Sequence, residues 1–404
     1  MIQSNTLDRA SCDRASGGEA NLVEAKLPRR DWILLPMLSL LTVCLLAGLT
    51  EFTARRIFTS VDTLGEQCMV FNDPATGARG IPNSSCKIKT PEGELTELQF
   101  NSCGHRTGME CGPKPPDTYR IVMMGSSYAL GLWVPREKTY AALLPTELSR
   151  RTGRNIELYN ESMSHQFPEI IAAHFNDALK AKPDMVLWTV TAQDMQSGIG
   201  VPAPYVARRL SLLERGWNRI KVAFAGKSLV DSISEIFRGS RTATLLGHFL
   251  YKSQSQYIKS SIMDPDKVWY LRDPPNADWA KRIHDFDISV AKIAMQAKDA
   301  DVPLVVVLLP NHVQTDMVSM GQWPAGFNPY ELDEALRRII TSHGGTYIDI
   351  LPDIRHTPSL ENGYFAFEGH PDERGHAIFA ELLAKELTSG AVPALSITNR
   401  AQIP

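Results

Sequence analysis

The stretch YRIVMMGSSYALGLWVP, Tyr119 to Pro135, decides how the rest of the chain is read. It opens with an apolar run, Arg120 to Met124, that has no polar alternation, as suits a strand covered on both faces. The run ends at Gly125-Ser126-Ser127 and passes into residues that favour a helix. A serine on a turn between a strand and a helix has its hydroxyl at the sheet edge, where backbone N–H groups can face a developing oxyanion. Glycine at the start of the turn lets the chain bend sharply.

The same alternation continues outward. Strands are expected at 120–124, 156–159, 185–190, 304–309 and 346–350, with helices near 138–151, 168–181, 283–299, 330–343 and 374–388. Strand–helix alternation implies a three-layer α/β/α sandwich around a five-stranded parallel sheet with right-handed crossovers. Ligands in such folds bind at the carboxyl ends of the strands, so functional residues should follow strands directly. A helical insertion at about 200–280 interrupts the pattern. Within it Leu210, Leu213, Trp217, Ile220 and Phe224 share one helical face, beside the cationic Arg208, Arg209, Arg215, Arg219 and Lys221. Those residues suit a helical cap on the core better than a surface helix touching anionic lipid.

Near the far end lies Glu368-Gly369-His370-Pro371, just ahead of a helix expected from about Arg374. A serine hydroxyl is a poor nucleophile at neutral pH and needs a base, and the base needs an acid to fix its tautomer. Ser127, His370 and Glu368 supply these three roles. His376 reads as a packing or capping residue. His165, His174, His248, His284, His343 and His356 receive no role.

Both ends resemble the SGNH, or GDSL-like, hydrolase superfamily, in its membrane-anchored exported form. Gly125, Ser127, Gly131, Val134 and Pro135 fit the first block, with Ser126 where Asp is usual. Glu368, His370 and Gly375 fit the last block, with Glu368 where Asp is usual. The middle blocks depart from the family's Asn-x-Gly and Gly-x-Asn-Asp: here stand Asn160-Glu161-Ser162 and Thr191-Ala192-Gln193-Asp194. Asn101-Ser102-Cys103-Gly104-His105-Arg106 resembles a segment that precedes the first block in exported members. The resemblance spans about 116–390 and implies an SGNH/flavodoxin-like fold. It implies Ser127 as nucleophile and His370 as base, with the Ser127 and Ser162 N–H groups and the Gln193 amide at the oxyanion and Asn160 as a further oxyanion or substrate-binding residue. His312, after the fourth strand, is a candidate for ligand contact by its strand-end position.

Trp32 to Thr50 carries no charge and, at ~1.5 Å per residue, reaches roughly 28 Å, enough to cross a bilayer. A soluble core helix would show a polar stripe, and a cleaved signal peptide would have a shorter apolar region and an A-x-A site. The expected organisation is therefore a cytoplasmic disordered tail (1–31), a signal-anchor helix (32–50), a cysteine-containing neck (51–116), the hydrolase-like domain (117–390) and a C-terminal tail (391–404). Lys26, Arg29 and Arg30 precede the anchor and Arg55 and Arg56 follow it, which weakly favours a cytoplasmic N-terminus. Cys68, Cys86, Cys103 and Cys111 all follow the anchor, which suggests two disulfides in an oxidising compartment, the periplasmic side of a cell membrane. Cys103–Cys111 with Cys68–Cys86 is preferred among three pairings, against four free thiols or a metal site.

The formal net charge of -3 gives no reason to expect nucleic acid. Neither a metal nor another cofactor is expected, and the clustered carboxylates and histidines of a two-metal phosphatase or nuclease are missing. The family resemblance implies ester hydrolysis or O-acyl transfer, acetyl above all, on cell-surface or secreted polysaccharide, with polysaccharide-synthesis proteins as possible partners. A lipid ester is a second substrate class. A catalytically inactive saccharide-binding or assembly protein is the reading from another class.

Overall fold

Apolar residues in β5 (Thr118–Gly125) alternate between two cores, and this alternation organises the domain. Ile121 and Met123 face one side of the sheet, Val122 and Met124 the other, and every residue of the strand is buried. The computed structural model describes residues 28, 30–73, 77–195, 240–264 and 268–397. The amphipathic face Leu210–Phe224 with its cationic neighbours, most of the N-terminal tail and residues 398–404 lie outside the described residues.

The chain divides into two units, Met1–Thr50 and Glu51–Pro404. Helix α1 (Asp31–Ile57) carries the apolar run, long and apolar enough to cross a membrane, and continues for two turns beyond it. In the second unit the neck forms two small antiparallel pairs, β1 (Met69–Asp73) with β2 (Gly77–Gly80) and β3 (Ser85–Ile88) with β4 (Thr96–Gln99). Disulfides join Cys68 to Cys86 and Cys103 to Cys111, the preferred pairing.

Then follow β5, α2 (Ser127–Leu130), α3 (Tyr140–Thr152), β6 (Asn155–Asn160), α4 (Pro168–Leu179) and β7 (Met185–Val190). After the insertion come α5 (Arg241–Leu250), α6 (Gln254–Ile262), α7 (Ala277–Asp299), β8 (Leu304–Leu308), α8 (His312–Met320), α9 (Glu331–Ser342), β9 (Thr346–Ile348), α10 (Leu351–Ile354) and α11 (Glu373–Glu386). The five long-range strands pair in parallel in the order β6-β5-β7-β8-β9. This is the expected five-stranded parallel sheet. One face is covered by α3 and α11 through Leu144, Leu148, Phe379 and Leu383, the other by α4 and α7 through Ile171, Phe175, Phe286 and Ile293.

Three local differences from the sequence reading have identifiable causes. Helix α7 starts at Ala277 rather than near 283 because Asn276 caps it, accepting from Trp279 N–H at 2.7 Å. Helix α8, not anticipated, starts where Asn311 accepts from Gln314 N–H. Past 390, Val392 and Leu395 are buried in the first core, so the folded unit reaches beyond the expected boundary.

Chain order leaves β5 between β6 and β7, so the connection after β5 leaves in one direction and that after β6 crosses to the other side. The crevice of an open parallel sheet lies at the carboxyl end of such a switch point. Ser127 stands at the end of β5.

Candidate active site

The nucleophile's turn is fixed from several sides. Gly125 closes β5, and a side chain there would meet the Thr189 backbone oxygen at 2.7 Å. Ser127 is the first residue of α2, so its N–H has no acceptor within the helix and remains open to an oxyanion. Gly131 ends α2 in the left-handed conformation, φ 74°, with no room for a side chain beside Thr139. The carbonyls left over at that end are taken by Arg106, whose buried guanidinium donates to Leu130 O, Gly131 O and Val134 O at 2.5, 2.6 and 2.7 Å. Burial lowers the Arg106 pKa to about 9, still a cation at neutral pH. Through Arg106, the segment Asn101–Arg106 clamps the serine's turn.

Ser127 Oγ lies 2.9 Å from His370 Nε2, a hydrogen bond that the chain closes across 243 residues. The imidazole sits in an aromatic corner, edge-on to Trp133 at 4.6 Å and tilted against Tyr128 at 5.1 Å between centroids. Burial lowers the His370 pKa to about 4, against a partial offset from the Glu368 backbone. The ring is therefore neutral near pH 7, the form a general base requires.

Glu368 is brought to the same site but not into hydrogen-bond range: its Oε2 is 3.8 Å from His370 Nδ1, and that buried nitrogen has no hydrogen bond among the described residues. Orienting bonds of this kind are often long without substrate and tighten when it binds. Gly369, at φ 79°, turns the chain between the two side chains, and Tyr128 Oη donates to its carbonyl at 2.8 Å.

Sequence inspection misses what holds this loop. Glu92, from the neck, has a side chain only 3% exposed and accepts from Phe367 N–H at 2.9 Å and Glu368 N–H at 2.9 Å. Its other oxygen accepts from His248 Nδ1 at 2.6 Å. No motif marks Glu92 or His248, because their partners lie 275 and 156 residues away in sequence. His248 therefore gains a role that its sequence context does not announce. So does His165, which lines the site and meets Phe71 edge-on.

A cavity of about 580 Å³ opens over Ser127 and His370, bounded by Trp133, Ser164, Gln193 and Arg241 among others. Gln193 therefore lies on the wall of the cavity that holds Ser127 and His370. Asp194 beside it is buried, accepts from Thr191 N–H at 2.7 Å and from Ser126, and has its pKa raised by burial to about 6. Ser126 and Asp194 hold the β5 and β7 ends together.

The remaining expected residues are arranged differently. The Ser162 N–H donates to Asn160 Oδ1 at 3.1 Å, and neither residue lines the cavity. Asn160 Nδ2 donates to Ala129 O at 2.8 Å, so Asn160 is a positioning residue that ties the β6 end to α2. Ser164, two residues on, does line the cavity; its hydroxyl is buried without a partner among the described residues. His312 is stacked between Tyr257 and Tyr364, at 3.9 and 4.9 Å, and is absent from the cavity wall. Burial lowers its pKa to about 3. It is a core histidine. His376 Nδ1 accepts from Tyr140 N–H at 3.2 Å, a cap on α3.

No protein-family model matches the chain, and no curated protein matches it. Solved structures similar to it include TesA, at 13% identity over 66% of this chain and 97% of that one, TM-score 0.35. A catalytic mutant of Axe2, an acetylxylan esterase from Geobacillus stearothermophilus, aligns at 11% identity over 69% and 96%, TM-score 0.37. A lipase/acylhydrolase from Enterococcus faecalis aligns at 13% identity over 67% and 95%, TM-score 0.32. At these scores the fold rests on the strand order given above, and the chemistry rests on the site's own geometry.

Proposed function

We propose that this chain is a membrane-anchored serine esterase or O-acyltransferase of the SGNH type, acting outside the cytoplasm. The observation that carries the reading is the 2.9 Å contact between Ser127 Oγ and Nε2 of a neutral, half-buried His370 at the sheet's switch point.

In the first step Ser127 Oγ attacks an ester carbonyl and His370 Nε2 takes its proton. Negative charge collects on the former carbonyl oxygen, where the Ser127 N–H and the Gln193 amide are the candidate donors, with the Ser164 hydroxyl as a further one. Collapse expels the alcohol, which leaves with the proton from His370, and an acyl group remains on Ser127. Water or a second hydroxyl then attacks the acyl-enzyme by the same path in reverse. Hydrolysis and transfer differ only in that acceptor. Glu368, drawn in from 3.8 Å, would steady the imidazolium.

Two neck disulfides and the apolar α1 support an extracytoplasmic, membrane-tethered enzyme. An acylated polysaccharide being made or trimmed at the membrane is the proposed substrate, with acetyl esters as the first to assay. Turnover of p-nitrophenyl acetate by the full chain, abolished in Ser127→Ala, is the expected result. A folded protein that binds saccharide without turnover would instead favour the inactive SGNH-fold reading, which the engaged Ser162 N–H and the 3.8 Å separation of Glu368 from His370 Nδ1 support.

A further inference from the structure

Helix α5 has two unlike faces. Thr244, Gly247, His248 and Tyr251, at spacings of three and four, face the site. Thr244 lines the Ser127 cavity, and Gly247 lies so close to Phe367 that a side chain there would meet its ring at 2.6 Å. His248 bonds Glu92, and Tyr251 stacks on Phe367 with ring planes 14° apart. The helix is thus part of what holds the His370 loop. The other face carries Leu246, Phe249 and Leu250, and these side chains are 58, 63 and 58% exposed. Three large apolar side chains on one face of a ten-residue helix are a surface without a partner.

The start of the same helix identifies what covers that face. Its first residues are bound by Glu51, whose carboxylate accepts from Ser240 Oγ at 2.7 Å, Arg241 N–H at 3.1 Å and Thr242 N–H at 3.0 Å. Arg241 in turn donates to Ser60 Oγ at 2.5 Å. Glu51 is the residue that directly follows the uncharged run Trp32 to Thr50. In a chain anchored by that run, Glu51 marks the point of emergence from the bilayer, and α5 begins within hydrogen-bond reach of it. A helix of ten residues is about 15 Å long, so the far end of α5 lies within about that distance of the Glu51 contact. Its chemistry suits the headgroup layer: Lys252 lies over the Phe249 ring at 5.7 Å, a cation beside an aromatic at the edge of an apolar face. Phe52 and Ile57, on the turns of α1 that follow Glu51, are also exposed.

We infer that α5 is an interfacial helix, its Leu246–Phe249–Leu250 face seated in the outer leaflet of the bilayer that α1 crosses, so that the Ser127 cavity is held at the membrane surface. This rests on the anchored reading and sharpens it: the esters served are those presented at the membrane surface. Because the opposite face of α5 holds the His370 loop, insertion into lipid also steadies the base.

The test uses the full chain with Cys12→Ser and Cys44→Ser, the two cysteines outside the disulfides, reconstituted into phosphatidylethanolamine–phosphatidylglycerol vesicles containing brominated acyl chains. A bimane label is placed in turn at Leu246→Cys, Phe249→Cys and Leu250→Cys, with Leu41→Cys as the membrane-span reporter and Arg338→Cys as the aqueous reporter. The expected result is strong quenching at 41 and at least about threefold more quenching at 246, 249 and 250 than at 338. If 41 is quenched while the three α5 positions match 338, the interfacial helix is overturned and the anchor survives. If 41 is unquenched, the anchor fails and this inference falls with it.

Discussion

The two halves of the candidate site are built in different ways. The serine side is mostly local: Gly125, Ser127 and Gly131 lie within seven residues, and the turn is shaped by its own glycines, with Arg106 and Asn160 holding its carbonyls from outside. The histidine side is imported. Its loop is pinned by a carboxylate from the neck and a helix beyond the insertion, through Glu92 and His248. A nucleophile needs a fixed backbone, which a short motif can encode. A base needs its ring held at one distance from that nucleophile, and this takes distant elements packed against it.

Four substitutions would break or sharpen that contrast. The largest effect is expected from His370→Ala, which removes the base and should slow acylation by about 10²–10⁴-fold, measured as pre-steady-state burst rate. Next comes Arg106→Ala on the serine side. It strips the carbonyls of Leu130, Gly131 and Val134 of their buried donor and should cost about 3 kcal/mol in denaturant unfolding. Glu92→Gln, on the histidine side, keeps the shape but weakens the acceptor; kcat should fall roughly 30-fold with KM little changed, because the loop is mispositioned rather than the substrate site. An unchanged kcat would break the claim that the neck completes the site. The smallest effect belongs to Glu368→Gln. A well-bonded third carboxylate is worth about 10⁴-fold, but at 3.8 Å this one should cost tenfold or less.

Acidity gives an independent handle on the histidine side. With its pKa lowered by burial from 6.5 to about 4, His370 stays neutral and active until pH falls to about 4, so the acid limb of the acylation profile should lie there. The same shift bears on stability. The unfolded chain binds this proton first as pH falls below 6.5, so the folded protein loses stability from there down to about 4. An acid limb near 6.5 would mean that the ring is more solvated than its aromatic corner suggests.

Much of the fold could be read in advance because the central strands β5, β7 and β8 carry apolar runs without polar alternation, Ile121–Met124, Met185–Val190 and Leu304–Leu308. The strand expected at 185–190 is Met185–Val190, and the others agree to within two residues at either end. The meeting of Ser127 with His370 and the disulfide pairing were also legible, since glycine turns and short cysteine loops carry local signals. Other roles could not be read this way. Asn160 and Ser162 follow a strand as oxyanion residues should, yet the side chain of one takes up the N–H of the other. His312 also follows a strand, but its ring is stacked between two tyrosines. Glu92 and His248 gain meaning only from partners on separate elements.

The measurement that bears most directly on the central claim is labelling of the 404-residue chain with a fluorophosphonate probe, wild type beside Ser127→Ala. The account predicts stoichiometric labelling of the wild type on a single peptide containing Ser127, and none in the variant. A folded wild-type protein that the probe leaves unmodified, or one labelled equally after Ser127→Ala, would contradict it.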